Sequence, residues 1–486
     1  MNLKSTELST VDVNYTALLP EIILSLVGIL IMILIPFTPK VRQSALGFVA
    51  LFGMVLALIC VTAQWGETGL AFFGMIFQDY FGQFCKILFL FASAAIVLVS
   101  INYLEREKLP YGEFFSLLLF ATVGMLLMAT SADLIMTFLG LEVLSISTYV
   151  LAGFKERGMK STESALKYFL LGAFSSGFLL YGIAFVYGAA GSTKYLKIAQ
   201  VIETSENYPP TLFLGLGLMV VGFGFKAALA PFHVWTPDVY EGAPVPITAH
   251  LAVGSKAAAF VALLRVLYQV LPELSQHWQA ILWASAVLTM AIGNIAALAQ
   301  TNIKRMLAYS SIAHAGYLLV GLTAHNRLGA QSILFYLVAY ALMTLGAFAV
   351  VQAFGREAEK HIGIDDYSGI GYRYPFLSIT LSVFLISLAG IPATGGFMGK
   401  LFLFAAAVQS EMYWLVVIAV IASAIGIYYY LRVIVFMYMG ESKDEGTPII
   451  VPTPVRIDIA IMVVGTCYLG IFPGTFLHLA SEAVSF

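Results

Sequence analysis

Long apolar stretches alternate with short polar connections along the whole chain. Stretches of about twenty apolar residues, the length that crosses a bilayer core, lie near 17–36, 44–64, 83–102, 113–130, 132–153, 164–187 and 211–230 in the first half. The second half holds seven more, near 246–271, 277–299, 302–323, 329–354, 375–411, 413–437 and 455–475. The pattern predicts an all-α membrane protein of fourteen spans. The seventh and twelfth stretches contain Gly and Pro close to charged residues, so both helices are expected to be discontinuous. The longest polar connections, 188–210, 355–374 and 438–454, are too small to fold separately. Residues 1–486 therefore form one polytopic domain.

Composition strengthens this reading. Hydrophobic residues make up 60% of the chain and charged residues 11%, against about 25% charged in an ordinary soluble domain. With mean hydropathy at +0.91, polar side chains are too few to cover a water-soluble globule. The 25 Lys and Arg against 27 Asp and Glu leave no basic face for nucleic acid. Cys60, Cys85 and Cys467 stand far apart in apolar runs, so zinc and iron–sulfur ligand sets are lacking. Gly215 and Gly217 lie inside a span, not at a strand-to-helix turn. Around Gly399-Lys400, Thr394 and Leu401 stand where a phosphate loop needs Gly and Ser/Thr. Redox and nucleotide chemistry are thus expected on other chains. The polar segment from Met1 to Tyr15 precedes an apolar run without a small-residue cleavage site, which reads as an uncleaved first span.

Loop charge sets an orientation. Fourteen Lys and Arg fall in loops after odd-numbered spans and four in the others, which places both termini on the non-cytoplasmic side. Seven more fall inside spans: Lys86, Lys167, Lys226, Lys256, Arg265, Lys400 and Arg432. Each costs about 2.5–3.5 kcal/mol at the bilayer centre unless it finds a partner, water or an interface. Lys86, Arg265 and Arg432 lie near span ends, where snorkelling accounts for them. Lys167 lies four residues after Glu163, so it reads either as half of a surface pair or as an inward relay group. Lys304 reads similarly, facing the cytoplasm or extending a buried row.

Glu142, Lys226, Lys256 and Lys400 are deeper. Burial favours a neutral amine and a nearby carboxylate restores the cation, so such groups can exchange protons. At an effective dielectric near 20, unit charges 4 Å apart interact by about 4 kcal/mol, roughly three pKa units, which is enough to toggle protonation. Lys226 and Lys400 both adjoin helix interruptions, at Pro231 and Pro392, and are 174 residues apart. That interval is about five spans, an odd number, so the second copy of a repeat would be inverted. The repeats would cover 113–271 and 277–437. His250, six residues before Lys256, and His314 are further candidate shuttles, or core histidines satisfied by neighbours.

Three segments carry a family resemblance: Phe225-Lys-Ala-Ala-Leu-Ala-Pro-Phe-His-Val-Trp-Thr-Pro through Pro246, Lys304-Arg-Met-Leu-Ala-Tyr-Ser-Ser-Ile-Ala-His-Ala-Gly-Tyr317, and Gly390-Ile-Pro-Ala-Thr-Gly-Gly-Phe-Met-Gly-Lys400. The chain resembles the subunit N family of proton-pumping NADH:quinone oxidoreductase (respiratory complex I). The resemblance implies fourteen helices with two inverted five-helix repeats, spans 4–8 and 9–13. It also implies that Glu142 is the acid of the fifth helix, paired with Lys226 of the broken seventh. Lys256 would be the central lysine of the eighth helix, Lys400 that of the broken twelfth, and Lys167 a further pathway position. The sister subunit M typically has Glu on the twelfth helix, and subunit L adds helices and a lateral helix not seen after position 475.

The implied function is proton translocation in a translocase, driven by NADH-to-quinone electron transfer. No cofactor is expected on this chain, with FMN, iron–sulfur clusters and quinone on partner subunits. Implied partners are subunits M, J and K, the peripheral NADH-oxidising arm and the lipid bilayer of the bacterial inner membrane. Competing readings are a multi-subunit cation/proton antiporter chain and a structural spacer whose charges only fix packing.

Overall fold

The computed structural model describes residues 14–39, 43–155, 158–205, 207–355, 359, 361–441 and 449–484. Lys4, Lys40, Arg42, Arg157, Arg356, Lys360 and Lys443, counted for orientation, lie outside these. In chain order the helices are α1 (Tyr15–Phe37), α2 (Ala45–Ala63), α3 (Tyr80–Glu107), α4 (Tyr111–Thr130), α5 (Leu134–Ala152) and α6 (Met159–Ala190). A ten-residue amphipathic helix, α7 (Tyr195–Thr204), precedes α8 (Pro210–Ala227) and α9 (Thr236–Gly242). Then follow α10 (Val245–Val270), α11 (Pro272–Leu298), α12 (Ile303–Thr323) and α13 (Arg327–Phe354). The chain continues with α14 (Pro375–Ala389), α15 (Gly395–Gln409), α16 (Tyr413–Met439), α17 (Thr453–Ile471) and α18 (Gly474–Ala483). Thirteen of these described helices are long and apolar enough to cross a membrane, and α14 and α15 are shorter apolar helices on either side of the expected second interruption.

The periodic pattern did not reveal α7, α18 or a small hairpin pairing Gly69–Ala71 with Ile76–Gln78. All three lie between or after spans, where hydropathy carries no signal. Helix starts are fixed by side-chain caps that accept the free backbone N–H groups: Asp79 at α3, Asp133 at α5, Asn302 at α12 and Asn326 at α13. Small residues allow close helix crossings, among them α4 with α5 and α11 with α12. A Cβ on Gly124 would meet the Leu144 backbone nitrogen at 2.5 Å, and one on Gly293 the Ala313 nitrogen at 2.5 Å. These pairs are spans four with five and nine with ten, equivalent members of the expected repeats.

Both expected interruptions form, and they are built alike. The α8 helix ends at Ala228, with φ at 60°, and Leu229 N–H reaches back to the Gly224 carbonyl at 2.8 Å. The α14 helix ends at Gly390, with φ at 84°, and Ile391 N–H reaches back to the Ile386 carbonyl at 3.2 Å. Each is a left-handed closure with a six-to-one hydrogen bond, followed within three residues by proline. The freed backbone groups find partners inside the protein, as depth in a bilayer requires. Trp235 Nε1 donates to the Phe225 carbonyl at 3.0 Å, and Ala230 N–H donates to Thr289 Oγ1 at 2.9 Å.

Two of the cations assigned to snorkelling behave differently. Lys86 is buried against Glu21 at 2.7 Å. Arg265, fully buried, holds Asp79 through two nitrogens at 2.7 and 2.9 Å and lies over the rings of Phe77 and Phe81. Sequence position near a span end did not disclose partners supplied by other elements. Arg432 caps the end of α11, donating to the Leu298 and Gln300 carbonyls.

Replacing Gly293 by Leu should force α11 from α12 and cost about 1–3 kcal/mol or more. Gly217→Ala, which points into open space, should be neutral. Thermal unfolding of the detergent-solubilised protein distinguishes them, and equal melting temperatures would contradict the close-crossing account.

Candidate functional site

Three buried lysines, on α8, α10 and α15, lie among hydroxyls and aromatic rings, and Glu142 stands partly exposed on α5. Lys226, in the last turn of α8, donates to Ser145 Oγ at 2.9 Å and Tyr168 hydroxyl at 3.0 Å. It also lies over the rings of Tyr149 and Tyr168. Its place at a helix C-terminus suits a cation, because the free carbonyls there carry partial negative charge. Glu142 sits one turn before Ser145 on α5, partly exposed, and accepts a hydrogen bond from Ser176 Oγ. The direct Glu142–Lys226 ion pair implied by the resemblance is therefore not formed. Hydroxyls hold the amine in its place.

Lys256 follows a π-helical segment, Leu251–Ser255, within α10. Such a segment widens the turn and is common at functional positions; a simple hydropathy scan gave no sign of it. Lys256 Nζ donates to the Ser311 carbonyl and hydroxyl and lies over the Tyr340 ring. The gap to Lys226 is bridged by aromatic contacts. Tyr168 stacks on Trp235 at 4.6 Å, Trp235 touches Tyr240, and the Tyr240 hydroxyl reaches Ser311 Oγ at 3.5 Å. His250, on α10 before Lys256, is fully buried, and neither ring nitrogen has a hydrogen-bond partner among the described residues.

Toward the other side, Ser310 bonds Tyr430 hydroxyl, which lies 3.1 Å from His314 Nε2, and His314 Nδ1 bonds Tyr336 hydroxyl. His314 and Lys400 both contact Tyr317, the histidine edge-on at 5.5 Å and the amine over the ring at 4.8 Å. Lys400 Nζ donates to the Leu388 and Ala389 carbonyls at 3.1 and 3.0 Å and to Ser423 Oγ at 2.9 Å. Those carbonyls belong to the last turn of α14, freed by the helix break. The interruption thus builds the seat for the amine.

The structure brings together Glu142, Lys226, Lys256, His250, His314 and Lys400, but not Lys167. That side chain is 41% exposed and pairs with Glu163 at 2.7 Å and Asp238 at 2.6 Å. The surface pair is the arrangement formed, because α9 supplies a second carboxylate outside the bundle. Asp238 also meets Arg305 at 2.8 Å, which in turn meets Glu241. Lys304 neither faces solvent nor joins the row. It is fully buried, 2.9 Å from Glu359 and bonded to the Glu241 and Ala243 carbonyls. Sequence reasoning missed the intervening groups Ser145, Tyr149, Tyr168, Ser311, Tyr336, Tyr340, Tyr430 and Ser423. The spacing of Tyr336 and Tyr340, four residues apart on one helix face, was the available signal. A hydroxyl both donates and accepts, so it can pass a proton between amines.

Residues 131–426, more than half the chain, match the family described as "NADH:quinone oxidoreductase/Mrp antiporter, TM". The fold is thus that of an antiporter-type membrane chain. NADH-quinone oxidoreductase subunit N of Trichlorobacter lovleyi is 46% identical over 473 residues, 97% of each chain. A chain of respiratory complex I from Thermus thermophilus is 36% identical, with a TM-score of 0.81, covering 95% of this chain and 100% of that one. A chain of the Mrp complex from Dietzia sp. shares the fold at 18% identity, with a TM-score of 0.82 over 97% of both chains. The chain belongs to the subunit N family of NADH-quinone oxidoreductases, as its three motif segments led one to expect.

Beside the row, Glu359 binds Lys304, Lys155 at 2.8 Å and the Tyr103 hydroxyl at 2.5 Å. Burial opposes its charge, yet the two ammonium groups and the hydroxyl hold its carboxyl down to about 2, from an ordinary 4.5. Its stabilising contribution should be complete above pH 4.5 and disappear as pH falls toward 2. Acid unfolding followed by helical signal should show Glu359→Gln less stable at neutral pH and less sensitive across that window. Parallel acid curves for the two proteins would contradict the assignment.

Proposed function

We propose that this chain is the proton-translocating membrane subunit of a bacterial NADH:quinone oxidoreductase, set in the cell inner membrane with both termini outside the cytoplasm. Family membership and nearly full-length relatives of that name support the reading. The observation that supports it is the set of buried amines Lys226, Lys256 and Lys400, each held by hydroxyls or carbonyls, with aromatic rings and His314 between them. The redox groups, FMN, iron–sulfur clusters and quinone, belong to partner subunits, among them the NADH-oxidising arm. Subunits M, J and K are its membrane neighbours.

Lys226 is the switch of this mechanism. Its ammonium is attracted by Glu142 through space and held by Ser145 and Tyr168. A change in charge or position at the partly exposed Glu142 alters the field on Lys226, and its proton moves through water toward Lys256. His314 then links Lys256 to Lys400, which exchanges with the opposite side. The two repeats, 113–271 and 277–437, give each half of the row its own broken helix, so each half opens to a different face.

Glu142→Ala and Lys226→Ala should each reduce quinone-linked proton pumping several-fold or more, with the complex still assembled. Proton uptake into proteoliposomes, measured beside NADH oxidation and subunit content, tests this. Undiminished pumping in a fully assembled complex would overturn the coupling role.

A further inference from the structure

Asn294 is a buried amide within a membrane span, and the row described above makes no use of it. It follows Gly293 on α11, the glycine that lets α12 come close. Its three hydrogen bonds run to three helices. Nδ2 donates to the Met290 carbonyl on its own helix at 2.9 Å and to the Tyr317 hydroxyl of α12 at 3.1 Å. Oδ1 accepts from the Tyr429 hydroxyl of α16 at 3.2 Å. The Met290 carbonyl can only accept, so it fixes which end of the amide carries the N–H groups. The other two bonds take their direction from that.

Both tyrosines are buried and adjoin groups of the row. The Tyr429 ring lies 4.3 Å from that of Tyr430, whose hydroxyl is 3.1 Å from His314 Nε2. Lys400 Nζ lies over the Tyr317 ring at 4.8 Å. Ser423, which accepts from Lys400 Nζ at 2.9 Å, is also within reach of the Tyr317 hydroxyl. An amide neither gives up nor takes a proton near neutral pH. Its N–H therefore stays on the Tyr317 oxygen, and the phenol's own O–H is left for other partners.

One use for a buried amide is to bind helices together. The crossing of α4 with α5 shows that close packing does not require it. Gly124 there approaches the Leu144 nitrogen as closely as Gly293 approaches that of Ala313, and the residue after Gly124 is the apolar Met125. The amide occurs at the crossing whose tyrosine stands beside a buried lysine.

We propose that Asn294 is a positioning residue for Lys400. Anchored on Met290 and Tyr429, its amide holds the Tyr317 hydroxyl so that the free O–H serves Ser423 and the amine during proton exchange. Asn294 itself carries no proton. This role rests on the proton-translocating reading above.

The test uses the assembled complex in proteoliposomes, with Asn294→Met, which borrows the residue found after Gly124, with Tyr317→Phe, and with the two combined. Lys226→Ala serves as the control for the underlying reading. Asn294→Met and Tyr317→Phe should each lower protons moved per NADH oxidised at least twofold with normal subunit content. The double variant should do no worse than either, because both changes remove the same hydroxyl alignment. Each should also raise the solvent deuterium isotope effect on coupled NADH oxidation, as exchange at Lys400 becomes the slow step. Normal pumping by Asn294→Met while Lys226→Ala fails would overturn the positioning role and leave the main reading standing. Normal pumping by both would overturn the main reading and this role with it. Losses that multiply in the double variant, or an isotope effect equal to the parent's, would mark Asn294 as helix packing alone and overturn the proposal. Should Asn294→Met fail to assemble, Tyr317→Phe carries the test, and normal pumping by it would overturn the proposal.

Discussion

An amine in the interior of a membrane protein must find oxygen atoms to replace water. This requirement governs the arrangement of the whole bundle. Lys226 takes two hydroxyls, Lys256 a serine carbonyl and hydroxyl, and Lys400 two backbone carbonyls and a hydroxyl. Among the described residues, none of the three has a carboxylate in direct contact. Each amine is therefore solvated without being locked, which suits a group that must give up and regain a proton. Arg265 provides the contrast. Its two-nitrogen grip on Asp79 and its sandwich between two phenyl rings fix a permanent charge that holds α3 to α10.

The helix interruptions are best understood through the same requirement. Breaking α14 from α15 frees carbonyls that an intact helix would consume, and Lys400 occupies them. At the first break the lysine precedes the interruption, and Trp235 takes the freed carbonyl in its place. The two closures share a left-handed residue, a six-to-one bond and a following proline, while the lysines stand on opposite sides of them. The breaks serve the same purpose by different local means.

Much of this was legible in the chain. Fourteen apolar stretches, two of them broken by Gly and Pro, gave the helices and their order, because hydropathy and proline geometry act locally. The deep charges stood out for the same reason. What could not be read was partnership across the fold. Whether Lys167 turned inward depended on Asp238, seventy-one residues away, and the burial of Arg265 depended on Asp79. The hydroxyl bridges were hidden because Ser and Tyr are unremarkable in apolar runs until packing aligns them. The π-helical turn before Lys256 and the bonds of Asn294 to two other helices arise only from the convergence of several helices.

The central claim is that the interior row carries protons rather than merely holding helices together. Lys256→Gln keeps the length and hydrogen-bonding capacity of the side chain at the middle of the row and removes its exchangeable charge. The decisive measurement is the ratio of protons moved to NADH oxidised by the assembled complex carrying that change. The account predicts a ratio well below that of the parent with subunit content intact, whereas an unchanged ratio would contradict it.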